Sequence, residues 1–227
     1  MNPVGMIQGN LFDRTRSNWA GDGPRPIGWT AWYPTEAGVA EEDVFIGSYF
    51  TMGPVAIEAP LVASPARFPV VLLSHGTGGS AVMMGWIGRR LAQAGFVAIA
   101  VDHHGNCGSE PYQAEGFICW WERPADLSVA LTELASQSPF EGRLNLNQAF
   151  AAGFSLGGYT VLSLAGALTD HSLFEQWLKT QPGFTGPREF PDLAGKLPDL
   201  LKTSNVFRQS FDRQGHCYRD PRVKAIY

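Results

Sequence analysis

Cysteine is scarce in this chain, basic runs and long apolar runs are missing, and each scarcity narrows what it can be. The three cysteines, Cys107, Cys119 and Cys217, are widely spaced, with neither a CxxC pair nor the density of a disulfide framework. They fit a reducing compartment, so a cytoplasmic protein is expected. The formal net charge is −4 and no stretch is basic, which removes the electrostatic footprint of a nucleic-acid binder and argues against nucleic acid as a partner. No apolar stretch approaches the roughly 18 residues of a membrane span, and the longest, such as Val70–Leu73 and Phe96–Val101, have the length of buried strands. The first ten residues carry neither a basic segment nor the apolar run of a signal peptide. Internal repeats and low-complexity segments are also missing.

What remains is ordinary globular composition: 227 residues, 44% hydrophobic and 17% charged, enough for one sizeable core in a single domain, residues 1–227. From Pro69, Val-Val-Leu-Leu-Ser-His-Gly reads as a buried parallel strand that stops at glycines. Ala81–Ala94 carries Met84, Ile87 and Leu91 at helical spacing, ends before Gly95 and leads into a strand over Phe96–Val101. Pro124 suits the first turn of a helix whose face is Leu127, Ala130, Leu131 and Leu134. Gln148–Phe154 then reads as a strand and Leu156–Leu168 as a helix. Such alternation predicts an α/β fold, a mostly parallel sheet with helices on both faces. Upstream, a strand over Ile27–Tyr33 and an earlier one among residues 4–17 would form one sheet edge. Residues 169–222, rich in Pro, Gly and aromatics, read as a long excursion over the active site, with helical fragments at Ser172–Lys179 and Leu197–Phe207. Val223–Tyr227 begins a last strand.

The chemistry-bearing signal is Gly153-Phe-Ser155-Leu-Gly157-Gly158, a G-x-S-x-G between an expected strand and an expected helix, as a nucleophile elbow requires. Ser155 would sit on a strained turn, side chains at Gly153 and Gly157 would collide with neighbouring strand and helix, and Leu156 N–H would be the first oxyanion donor. A Gly-Ser loop that merely turns the chain is the alternative, and the flanking elements disfavour it. Ser74-His75-Gly76-Thr77-Gly78-Gly79-Ser80 follows the first parallel strand, where the second oxyanion donor is supplied. Thr77 N–H is the candidate there, with Gly78 next. The loop lacks the G-x-G-x-x-G spacing and the lysine of nucleotide-binding loops. His75 precedes the nucleophile and is expected to have a structural hydrogen-bonding role. Asp102-His103-His104 is expected to anchor a loop and not to bind metal, because neighbouring residues on an extended chain point to opposite sides. His171 and His216 lie in the excursion and would have to fold back onto Ser155 to act as its base. Trp120-Trp121 could line a pocket or pack beneath the helix it opens.

Four segments, Val71–Gly79, Val101–Asn106, Trp121–Leu127 and Gly153–Tyr159, resemble the dienelactone-hydrolase-like and platelet-activating-factor-acetylhydrolase-like branch of the α/β-hydrolases. The likeness spans residues 69–168. It implies an esterase that works through an acyl-enzyme, without cofactor or metal, on a small-molecule ester. The elbow residue here is serine, where dienelactone hydrolases proper carry cysteine, and Cys107 and Cys119 inherit no role. The excursion's composition suggests a short, uncharged acyl group. In the family the acid and the histidine follow later strands, so the resemblance places both beyond residue 227, with the C-terminal strands missing. A catalytically incomplete scaffold that pairs its unfinished sheet edge with a partner or a second copy is the rival reading, and a peptidase on the same scaffold ranks third.

Overall fold

In a computed structural model the described residues are 3–46, 50–64, 66–181 and 183–227, so the excursion's Pro182 lies outside them. The chain begins with β1 (Val4–Ser17) and β2 (Pro24–Pro34), an antiparallel pair, followed by β3 (Glu42–Ile46) and β4 (Phe50–Ile57), also antiparallel. Then come β5 (Phe68–Ser74), α1 (Gly85–Gln93), β6 (Val97–Val101), α2 (Ala114–Ile118), α3 (Arg123–Leu134), β7 (Leu144–Gly153) and α4 (Leu156–Ala165). Three excursion helices, α5 (His171–Leu178), α6 (Leu193–Thr203) and α7 (Asn205–Asp212), precede β8 (Val223–Ile226). The eight strands run in the order β3-β4-β1-β2-β6-β5-β7-β8, and β6, β5, β7 and β8 pair in parallel. This is the expected α/β sheet.

The parallel strands read as continuous apolar runs because both faces are covered. Val70 and Leu72 of β5, with Val97, Ile99 and Val101 of β6, meet Leu127, Leu131 and Leu134 of α3 and Val161 and Leu164 of α4. Their alternates, Val71, Leu73, Ala98 and Ala100, pack with Trp32, Met84 and Ala92 on the face that α1 covers. A third cluster lies apart from the sheet: Phe117, Trp121, Leu193 and Phe207 join the excursion to the segment before α3.

Some boundaries differ from the sequence reading for local reasons. The helix expected from Ala81 starts as a 3-10 turn over Val82–Met84. The helix expected to reach Leu168 stops at Ala165, because Gly166 takes the left-handed conformation (φ 115°) that ends a helix. The fragment expected over Leu197–Phe207 is two helices, divided at Ser204, whose side chain accepts from Phe207 N–H and so starts α7. β1 and β2 are not the sheet edge, since β3 and β4 lie outside them. Among the described residues no helix is long and apolar enough to cross a membrane.

Candidate active site

β5 and β7 are parallel neighbours in a register that sets Ser74 beside Gly153. The two glycine-bearing turns therefore leave the sheet side by side at the carboxyl ends of their strands. Between β7 and α4, Ser155 has φ 55° and ψ −117°, a conformation a serine adopts only when its surroundings enforce it. The surroundings are tight. A Cβ on Gly153 would lie 2.0 Å from the Gly157 carbonyl oxygen, and one on Gly157 would lie 2.0 Å from that of Ser74. A Cβ on Gly76 would stand 3.2 Å from Ser155 Cβ, so the loop after β5 packs directly against the turn.

Ser155 is exposed and occupies the N-cap position of α4, yet its side chain caps no backbone N–H. Among the described residues no hydrogen bond joins its hydroxyl to a histidine, and none is donated by Thr77 or Leu156 N–H. Gly78 N–H, by contrast, donates to Asn106 Oδ1 at 2.8 Å, and the Tyr112 hydroxyl donates to the Gly78 carbonyl. Of the two donors weighed in the loop after β5, Thr77 is thus the one left available. Two unpaired N–H groups, one at a helix N-terminus, suit an oxygen that gains negative charge.

Behind the turns lies a buried polar network that the sequence did not disclose. His103 Nε2 is 2.9 Å from Ser74 Oγ and its Nδ1 is 3.0 Å from Asp126 Oδ2, a serine, histidine and aspartate in line. All three are fully buried, so no substrate reaches them. Burial, helped by the Arg123 charge, pushes His103 down to about 3 and keeps it neutral. Asp126 carries the negative charge: burial pushes its carboxyl up, but Arg25, Arg16 and the His103 hydrogen bond hold it well below the usual range. Arg25 grips Asp126 with two bonds of 2.8 and 3.0 Å and Arg16 adds one of 2.6 Å. Arg123, itself buried, donates to Thr160 Oγ1 in α4 and to both Ser74 Oγ and the His75 carbonyl at the end of β5. One guanidinium thereby ties the helix that follows Ser155 to the loop that bears Thr77. Burial drives its pKa down to about 9.

Two of the remaining histidines, His75 and His104, have settled places. His75 Nδ1 meets the Gly76 carbonyl and its Nε2 accepts from His103 N–H, so neither ring nitrogen is free to serve as base. His104 pairs with Glu110 at 2.7 Å and stacks on Trp19, while His103 bonds inward, so the pair anchors the loop after β6 from two sides. Among the described residues no group of three or more His, Cys, Asp and Glu is placed to hold a metal ion. His216 is exposed, and His171 pairs with Glu175 at 3.4 Å. His171 lines a cavity of about 280 Å³ that also touches Thr77, Leu156 and Asn106 and is otherwise walled mainly by apolar groups of the excursion and α2. The tryptophan pair divides its labour: Trp120 lines this cavity, and Trp121 is buried and donates to the Ser210 carbonyl of α7 at 2.9 Å.

Residues 66–225 match the model of a protein family described as serine aminopeptidase, S33. Among solved structures, the chain is similar to a ferulic acid esterase from Streptomyces cinnamoneus at 23% identity and a TM-score of 0.58, covering 70% of this chain and 54% of that one. It also matches a putative dienelactone hydrolase from Klebsiella pneumoniae at 17% identity, covering 67% and 51% of the two chains, with a TM-score of 0.37. The chain thus spans about half the length of these two relatives. Among curated proteins none matches it.

Proposed function

Because the chain belongs to the serine aminopeptidase S33 family of α/β-hydrolases, we propose that it is a carboxylic ester hydrolase that uses Ser155 as nucleophile on small, uncharged esters. The observation that carries this reading is the strained, exposed Ser155, whose side chain caps no N–H, with the unpaired Leu156 and Thr77 N–H groups in the two adjoining turns. Ser155 Oγ forms a bond to the ester carbonyl carbon, its proton passes to the oxygen of the departing alcohol, and Leu156 and Thr77 N–H hold the oxyanion. The tetrahedral species collapses as the alcohol leaves with that proton. Water then adds to the acyl carbon, the carboxylic acid departs and a proton of the water passes to Ser155 Oγ. Nothing in this sequence of steps asks for a metal or a cofactor.

For the base, the family order offers an acid and a histidine after the nucleophile. His171 and His216 both follow Ser155, and neither bonds its hydroxyl in this structure. Without a base the rate falls by about 10⁴ to 10⁶, which favours a second reading in which the chain alone is a folded scaffold. Hydrolysis of p-nitrophenyl acetate and butyrate, measured beside Ser155→Ala, tests the first reading. Activity that vanishes on substitution supports it, and two equally inert proteins support the second. Size-exclusion chromatography then tells whether the scaffold pairs with a second copy. The family's description also keeps a peptidase in view, and cleavage of aminoacyl p-nitroanilides in preference to esters would establish that reading instead.

A further inference from the structure

We infer that the cavity between the excursion and the loop bearing Thr77 is the acyl pocket, and that it takes an uncharged acyl chain of about eight to nine carbons, at ~30 Å³ per water-sized group in about 280 Å³. This rests on the assignment of Ser155 and its two N–H donors, because position is the first argument. Thr77 and Leu156, which would hold the carbonyl oxygen, both line the cavity, so a chain on the carbonyl carbon has this volume as its neighbour.

The chemistry of the wall is the second argument. Phe117, Trp120, Phe174 and Phe184 present rings, and Leu178 and Leu197 fill between them. Of the polar groups, Asn106 is engaged with Gly78 N–H and the Gly116 carbonyl, and His171 Nε2 faces Glu175 at 3.4 Å while its Nδ1 has no partner among the described residues. No lysine or arginine is among the lining residues and the acidic Glu175 is, so a carboxylate on the acyl chain would be desolvated beside a group of like charge, with only the His171 ring to meet it. Size is the third argument. An acetyl or butyryl group, the short acyl expected from composition, would leave most of the space to water against apolar walls, whereas each methylene buried there strengthens binding about fourfold.

Methyl esters of butanoic, hexanoic, octanoic and dodecanoic acid, titrated by calorimetry against the 227-residue Ser155→Ala chain, test this without turnover. Affinity should rise about fourfold per methylene to octanoate and gain nothing further at dodecanoate. The monomethyl ester of succinic acid should bind more weakly than methyl butanoate. Leu197→Trp, which fills the cavity, should move the optimum toward butanoate. Should that variant fail to fold, Leu178→Trp on the half-buried face of α5 serves the same purpose. Affinity indifferent to chain length, or preference for the succinate ester, overturns the pocket. Parallel assays of the unsubstituted chain with p-nitrophenyl esters separate the two readings. Octanoate binding without Ser155-dependent turnover leaves the pocket standing and removes the nucleophile. Turnover lost in Ser155→Ala, but equal for every chain length, does the reverse.

Discussion

At Gly157 the distance from a would-be methyl carbon to the Ser74 carbonyl oxygen is 2.0 Å, and both partners are backbone. Neither can swing aside as a side chain would, so Gly157→Ala must open the contact between β5 and α4. We expect it to cost about 3 kcal/mol or more of stability, read as a lower urea midpoint, together with loss of any Ser155-dependent hydrolysis. The elbow glycines were legible because the motif that calls for them is five consecutive residues long, although the atom that excludes a side chain at Gly157 belongs to Ser74 on β5. Asp126 was not, since its partners Arg16, Arg25 and His103 stand 110, 101 and 23 residues away in sequence. Replacing it with Asn leaves the buried Arg25 guanidinium without its anion, while Arg16 keeps Asp13 and Glu122, and Asp126→Asn should destabilise the fold by about 3–5 kcal/mol. Equilibrium urea unfolding at pH 7 measures it. The Ser74, His103 and Asp126 alignment adds a caution, because a serine, histidine and aspartate in hydrogen-bond sequence serve here to brace a loop.

At the level of elements, sequence periodicity found β5, β6 and β7 with α1, α3 and α4, because burial on two faces leaves long unbroken apolar runs, but it passed over the short α2. It missed β3 and β4. Their segments, Glu-Asp-Val-Phe-Ile and Phe-Thr-Met-Gly-Pro-Val-Ala-Ile, combine acidic residues with a glycine and a proline, and a strand at the margin of a sheet tolerates all three. The excursion was legible as an insertion, whereas its attachment was not. Glu122 accepts from Ser210 at 2.6 Å and Arg213 at 2.7 Å, fastening α7 to the body, and from Arg16 on β1. Glu122→Gln removes the charge that holds both arginines while keeping the side chain's volume. Amide hydrogens of Asn205–Asp212 should then exchange faster, while those of β5 and β6 keep their protection. Equal acceleration in the strands would mean that α7 and the sheet open as one unit.

For the molecule as a whole, two buried neutral histidines make stability depend on acidity. His103 sits at about 3 and His75 is also pushed down by burial, against about 6.5 in an unfolded chain. Below pH 6.5 the unfolded chain binds two protons that the native one refuses, so stability falls as pH falls through that window, by roughly 2.7 kcal/mol per unit from this pair. Asp126 acts in the same direction at lower pH, where protonation removes the anion its arginines need. Urea midpoints should therefore drop steadily from pH 7 to pH 4, and His103→Gln should flatten about half of that slope. A midpoint constant over this range would mean that the histidines are wetter than their packing implies.

The third apolar cluster, separate from the two that cover the sheet, has an evolutionary consequence. On the proposed reading of the cavity as the acyl pocket, selectivity and foldability are written in different residues. Substitutions at Leu178, Leu197 or Phe184 reshape the cavity without touching the clusters that hold the strands, so they spend little of the small stability margin on which a protein's tolerance for mutation depends. A combinatorial library confined to those positions should yield mostly folded proteins with divergent ester preferences, and a lineage could explore new substrates by drifting there while its elbow stays unaltered.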